Sequence, residues 1–169
     1  MRFTAAAPRT IIAGMSMPAD RRCRLASPIG PLTLRLRGDV LLGLAFDDDA
    51  PVGDGDAGPV GARLTAYLAG DLAALDRIEV APAGTPFQQR VWAELRRIPA
   101  GTTIAYGDLA ARLGDRLAVR AVAAGSGANP IAIVIPCHRV LAADGSLHGY
   151  GGGLPRKRWL LVHEGALLA

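Results

Sequence analysis

The chain has 169 residues, half of them apolar and a fifth charged, with 19 Lys or Arg against 15 Asp or Glu. That balance excludes a disordered polyelectrolyte, and no apolar run approaches the roughly 20 residues that cross a bilayer. Two cysteines, Cys23 and Cys137, are too few for a disulfide framework or a structural zinc cluster, so a reducing cytoplasm is the natural compartment.

Residues 1–19 are basic and acid-free, and Pro8, Arg9 and Gly14 interrupt the apolar stretch that a targeting peptide needs. They read as a poorly ordered extension, with Met15 and Met17 as alternative starts. Residues 22–46 read as strands. LTLRL alternates apolar and basic residues with period two, as a half-exposed antiparallel strand does, and VLLGLAF suits a buried one. Asp47–Pro59 is acidic and rich in Gly and Pro, hence a loop. A helix is predicted over 60–69, with Leu64, Tyr67 and Leu68 at helical spacing, and another loop over 71–86. The boundary falls near Gly84, giving an N-terminal α/β domain over 20–83 and a second domain over 84–169.

Thr85 and Pro86 read as the N-cap and first turn of a helix whose apolar face is Phe87, Val91, Leu95 and Ile98, with Trp92 beside it. Pro99 and Gly101 end it. Tyr106 to Leu113 and Leu117 to Ala124 are two short helices around Gly114, a helix-turn-helix candidate. The second is almost all small residues with one long side chain, Arg120. Small residues allow close backbone approach, and one arginine can occupy the space that a displaced base leaves. An alanine-rich helix with no such role is the blander reading.

In NPIAIVIPCHRV, Ile131 to Ile135 read as a short buried strand that Pro136 stops, delivering Cys137 at its end. A thiol attacks only as thiolate and needs a base nearby. His138 is adjacent, but neighbours in a regular strand point to opposite faces. Either the chain turns sharply after Pro136, or a water or another residue connects the two. An inert buried cysteine is the commoner fate of a lone Cys. Charge adds a hint: residues 1–84 carry nine Arg against ten Asp or Glu, while 85–169 carry nine Arg and Lys157 against five acids. A basic second half suits a polyanionic partner.

GTPFQQRVW, IPAGTTIAYGDLA, GANP, IPCHRV and GYGGGLPRKRWLLVHEG occur in an order that closely resembles the O6-alkylguanine-DNA alkyltransferases, nearly without gaps over 84–165. SPIGPLTL, LLGLAF and AYLAGDLAALD are similar, more loosely, to that family's N-terminal domain, and bacterial Ogt-like members resemble the chain most. The resemblance implies an α/β (α+β) fold: an antiparallel sheet with a helix, then a mostly helical part with a helix-turn-helix and a short active-site strand. It implies direct-reversal repair of double-stranded DNA, with the alkyl group of O6-alkylguanine, and less well of O4-alkylthymine, moving once and irreversibly to Cys137.

By the same resemblance His138 acts on the thiol through a water, Glu164 completes the relay, and Asn129 holds the turn before the cysteine. Tyr106 and Arg120 assist nucleotide flipping, and Tyr150 lines the guanine pocket. Ala121, Gly151 and Arg139 count with the substrate- and DNA-facing residues. No metal and no cofactor is implied, and the expected partner is lesion-bearing DNA met by a monomer. Ala132 and Gly151 stand where some members have proline and serine, which would widen the pocket, and Arg116 replaces a common proline. Three rivals are weaker. A damage-sensing relative would lack Cys137, a transcription regulator needs base-reading side chains that the small-residue helix lacks, and a thiol hydrolase needs an oxyanion hole. Trp92 and Trp159 read as core, His163 as a helix-end residue and Cys23 as inert. Arg156 to Arg158 reads either as a solvated helix start or as a phosphate contact.

Overall fold

The computed structural model describes residues 18–49 and 56–168. All but the last two residues of the predicted 1–19 extension, and the middle of the acidic loop, lie outside these. Strands β1 (Asp20–Leu25), β2 (Leu32–Arg37) and β3 (Val40–Phe46) form an antiparallel meander in that order. The period-two pattern of β2 is realised: Leu32, Leu34 and Leu36 are buried while Arg35 and Arg37 are exposed. Leu34 stands between Cys23 and Leu44 in the register, so Cys23 turns inward in spite of its flanking arginines. Burial pushes its thiol pKa up, which keeps it unreactive.

Helix α1 (Gly58–Leu68) begins two residues earlier than predicted, with a proline in its first turn, and buries Val60, Leu64 and Tyr67. The loop predicted over 71–86 contains a 3-10 turn, Leu72–Arg77, and then pairs with β3 through a parallel bridge between Leu41 and Val80. Helix α2 (Pro86–Leu95) starts as predicted. Thr85 accepts from the Gln88 N–H, and the Gln88 side chain accepts from the Thr85 N–H, a reciprocal capping box. Val91, Trp92, Leu95 and Ile98 are buried, whereas Phe87 is exposed at the helix start.

A two-residue strand, β4 (Ile104–Ala105), leads into helix α3 (Tyr106–Arg112). Helix α4 (Val119–Gly127) begins two residues later than predicted and leaves Leu117 exposed. It packs on α2 at Gly125, where a Cβ would approach Val91 to 3.2 Å, and Trp92 Nε1 donates to the Gly125 carbonyl at 2.9 Å. After Cys137 the chain forms β5 (Val140–Leu141), parallel to β4, and ends in helix α5 (Leu154–His163). One apolar cluster runs from Cys23 and Leu34 through Trp92 and Val122 to Leu160.

The strand predicted at Ile131 to Ile135 is not formed. The Val134 N–H bonds to the Ala132 carbonyl and the Ile135 N–H to that of Ile131, a tight turn with Ile133 at φ 69°. A β-branched residue in the left-handed region is strained by about 1–3 kcal/mol. The run is apolar because it is buried, and its pairing is confined to one parallel bridge between Ile131 and Leu44. The short strand of the site is β5, which follows the cysteine.

Candidate active site

The turn that carries the cysteine is fixed from two sides. Asn129 Oδ1 accepts from the Ile131 N–H at 3.0 Å, and its Nδ2 donates to the Ile135 carbonyl at 2.7 Å. From below, the Leu44 N–H donates to the Pro130 carbonyl and the Ala132 N–H to that of Leu44, so the backbone of β3 supports the turn. Pro136 then feeds a single 3-10 turn, Cys137–Arg139. Successive side chains there point about a third of a turn apart. Cys137 therefore faces outward, half-buried, while His138 and Arg139 point inward. The chain does turn sharply after Pro136, but the turn sends the two side chains to different sides and does not itself join them.

Behind the thiol lies a closed polar cluster. His138 is fully buried, and its Nε2 donates to Glu164 Oε1 at 2.9 Å. Arg139 Nε and Nη2 hold the two Glu164 oxygens at 2.8 Å each, and Nη1 reaches the Ile98 carbonyl. Tyr67 adds its hydroxyl at 2.7 Å to Oε1. Burial alone would raise the Glu164 carboxyl, but the bonds and charges of His138 and Arg139 outweigh it and hold the group far below the usual range. For His138, burial outweighs the carboxylate and lowers the pKa, so the ring is neutral. A neutral ring donating through Nε2 keeps its lone pair on Nδ1, and Nδ1 has no hydrogen-bond partner among the described residues.

Lys157 is the other buried charge, its Nζ donating to the Val140 and His148 carbonyls at 2.8 and 2.9 Å. Burial pushes the Cys137 thiol up on balance, and the Asn129 amide, 3.2 Å from Sγ, and then the Lys157 charge offset that only in part. Neither expectation for Arg156 to Arg158 covers this inward lysine. Arg156 turns to Asp48 at 2.9 Å and stacks over the Phe46 ring, tying α5 to the end of β3.

In front of the thiol opens a cavity of about 550 Å³, lined by Tyr106, Asn129, Cys137, Tyr150 and Gly151 among others. The structure thus brings five of the ten expected site residues to one hollow. His138 and Glu164 lie directly behind it. Tyr150 Oη is buried without a partner among the described residues. Phe46 forms a wall from the N-terminal sheet and touches Gly152, where any Cβ would come within 2.5 Å of its ring. Arg120 and Ala121 are exposed on α4 and do not line the cavity, although Ala123, Ser126 and Gly127 of the same helix do. Arg139, expected among the DNA-facing residues, is 6% exposed, and its guanidinium bonds to Glu164 and to the Ile98 carbonyl.

Sequence reasoning missed Tyr67, Phe46 and Lys157. The lysine left a trace, as it is the only one among 19 basic residues. Tyr67 left none, being 97 residues from the carboxylate it meets.

Residues 86–166 match the family described as 6-O-methylguanine DNA methyltransferase, DNA binding domain. A methylated-DNA-protein-cysteine methyltransferase of Salmonella typhimurium is 45% identical over 163 residues, covering 86% of this chain and 95% of its own. One of Mycobacterium tuberculosis is 47% identical over 147 residues, covering 82% and 88%. Among solved structures, the Mycobacterium tuberculosis O6-methylguanine methyltransferase superposes with a TM-score of 0.78 at 42% identity, over 88% of this chain and 94% of that one. A structure of the same organism's protein in complex with DNA gives 0.78 at 44%, over 86% and 92%.

Proposed function

The chain belongs to the methylated-DNA-protein-cysteine methyltransferases, and on that premise we propose that Cys137 is the residue that accepts the alkyl group. The protein is an enzyme of direct-reversal DNA repair that moves an alkyl group from O6-alkylguanine in DNA to a cysteine of its own. The observation that supports Cys137 is its place at the foot of the cavity, with an amide on its sulfur and a neutral His138 anchored by Glu164 behind it.

The alkyl carbon lies inside the duplex, so the nucleotide must first be extruded into the cavity. The thiol proton passes by way of a water to Nδ1 of His138, and the Glu164 carboxylate stabilises the resulting imidazolium. The thiolate forms a bond to the alkyl carbon, and the carbon–O6 bond breaks with its electron pair leaving on guanine, which takes up a proton. A thioether carries no good leaving group, so each molecule acts once. Tyr106 and Tyr150 offer hydroxyls to the bound base. The DNA-handling unit is 84–169, with 20–83 as its supporting domain. We place the protein in the cytoplasm as a monomer, acting on O4-alkylthymine less well.

The test is intact-protein mass after incubation with excess duplex carrying O6-methylguanine. Uptake of one methylene's mass per chain, saturating at one, supports the reading. Tight binding without mass change would leave damage sensing in its place.

Two roles have their own tests. If Arg120 fills the place of the extruded nucleotide, Arg120→Ala loses part of an unstacking cost of a few kcal/mol. Transfer from duplex should then slow by about ten- to a hundredfold, while transfer from the free alkylated base stays unchanged; equal losses on both would remove the flipping role. Gly151 is exposed at the cavity edge with open space around its Cα. Gly151→Ser should lower transfer of bulky adducts about tenfold relative to methyl, the discrimination that small changes in an apolar pocket supply. An unchanged ratio in a competition assay would show that this edge does not set adduct size.

A further inference from the structure

Oxygen Oε1 of Glu164 is crowded. It receives His138 Nε2 at 2.9 Å, Arg139 Nη2 at 2.8 Å and the Tyr67 hydroxyl at 2.7 Å, whereas Oε2 receives only Arg139 Nε. A carboxylate oxygen has two lone pairs, so three donors on one oxygen compete. Two of the three come from the 3-10 turn that holds the cysteine. The third comes from α1, on the far side of the 84 boundary.

Tyr67 is fully buried and held in place by more than this bond. His163 Nε2 donates to its backbone carbonyl at 2.8 Å, the His163 ring meets the tyrosine ring edge-on at 5.2 Å, and Trp159 stacks on His163 at 4.7 Å. The hydroxyl therefore has one fixed acceptor.

Resting on the relay proposed above, we infer that Tyr67 is a positioning residue for alkyl transfer: its hydroxyl shares Glu164 Oε1 with His138 and so limits how strongly the carboxylate draws on the imidazole. Burial, then the Glu164 charge, push the Tyr67 phenol far above its ordinary range, so it acts only as a donor. The groups that bear on His138 are Glu164 at the C-cap of α5, Lys157 within α5, Arg139 from its own turn, and the Tyr150 ring at 6.5 Å, with Cys137 its neighbour in the chain. Of these only Glu164 is hydrogen-bonded by the Tyr67 hydroxyl, so removing that hydroxyl acts on His138 through the carboxylate.

The experiment measures single-turnover transfer against pH, from about 5.5 to 8.5, for the parent and Tyr67→Phe. Affinity for the lesion duplex is measured in the Cys137→Ser background. With one donor gone, Oε1 draws harder on His138, the ring protonates more readily, and the acid limb of the profile should move up by roughly half a pH unit. Affinity should not change. 3-Fluorotyrosine placed at 67 alone is a stronger donor and should move the limb down; this arm decides the matter if the phenylalanine variant does not fold. Coincident profiles, whatever the loss of melting temperature, or shifts of the same sign in both variants, would overturn the inference and leave Tyr67 a packing residue. A parent that transfers no alkyl group would instead overturn the relay, and this inference with it.

Discussion

Serine at position 137 is expected to cut alkyl uptake by at least about a thousandfold while leaving affinity for the lesion duplex unchanged. The substitution is nearly isosteric, and the Asn129 amide that donates to Sγ at 3.2 Å can donate to a hydroxyl oxygen as well. What changes is the nucleophile. A neutral His138 with a free Nδ1 is a base matched to a thiol, and a hydroxyl holds its proton far more tightly. Mass analysis after prolonged incubation with excess lesion duplex should show no adduct on Cys137→Ser and one on the parent. Cys23→Ser should match the parent, because Cys23 on β1 is 1% exposed. A slow, saturating adduct on Cys137→Ser would mean that a different residue accepts the alkyl group.

The second large effect belongs to Glu164. Alanine there leaves Arg139, the Tyr67 hydroxyl and the His138 N–H without their acceptor in a buried site. Removing one partner of a buried pair costs about 3–5 kcal/mol, and losing the orienting carboxylate should slow transfer by about a hundredfold. Glu164→Gln keeps an oxygen for one or two of these donors and should be milder on stability than on rate. Urea midpoints and single-turnover rates measure the two separately; a fully stable alanine variant would mean that the cluster contributes no net stability.

The same carboxylate sets a pH dependence. Glu164 titrates lower in the folded chain than in the unfolded one, so on acidification the unfolded state takes up the proton first. Its contribution is complete above pH of about 4.3 and drains away as the pH falls below that value. His138 acts in the same direction from higher pH: burial lowers its pKa, so below about pH 6.5 the unfolded chain binds a proton that the folded chain refuses. The urea midpoint should decline in two stages, and Glu164→Gln should lose the lower one.

Much of this was legible in the residues where local chemistry decides. Thr85 announces a cap because few other roles suit Thr-Pro before an apolar face, and the alternation of LTLRL leaves one way to bury a sheet. Cys137, Asn129, Tyr106 and Tyr150 were found through family motifs, and they line one cavity. Direction was not legible. The run from Ile131 to Ile135 has the composition of a buried strand, and short-range bonds from Asn129 together with long-range backbone bonds from Leu44 make it a turn. Arg139 and Lys157 look like surface cations beside a DNA-binding helix, yet both point inward, because buried acceptors were waiting that no local pattern displays.

The contact between β3 and the cavity rim bears on how such proteins can be recombined. At Leu44 the two halves are joined by backbone hydrogen bonds, which any residue can supply, so a chimera assembled from two relatives would tolerate sequence change there. Two positions further along the strand the junction is particular: the Phe46 ring occupies the space where position 152 would need a Cβ. A Cβ at 152 would force that ring to move, so a chimera of this chain should keep its fit best when positions 46 and 152 are exchanged together.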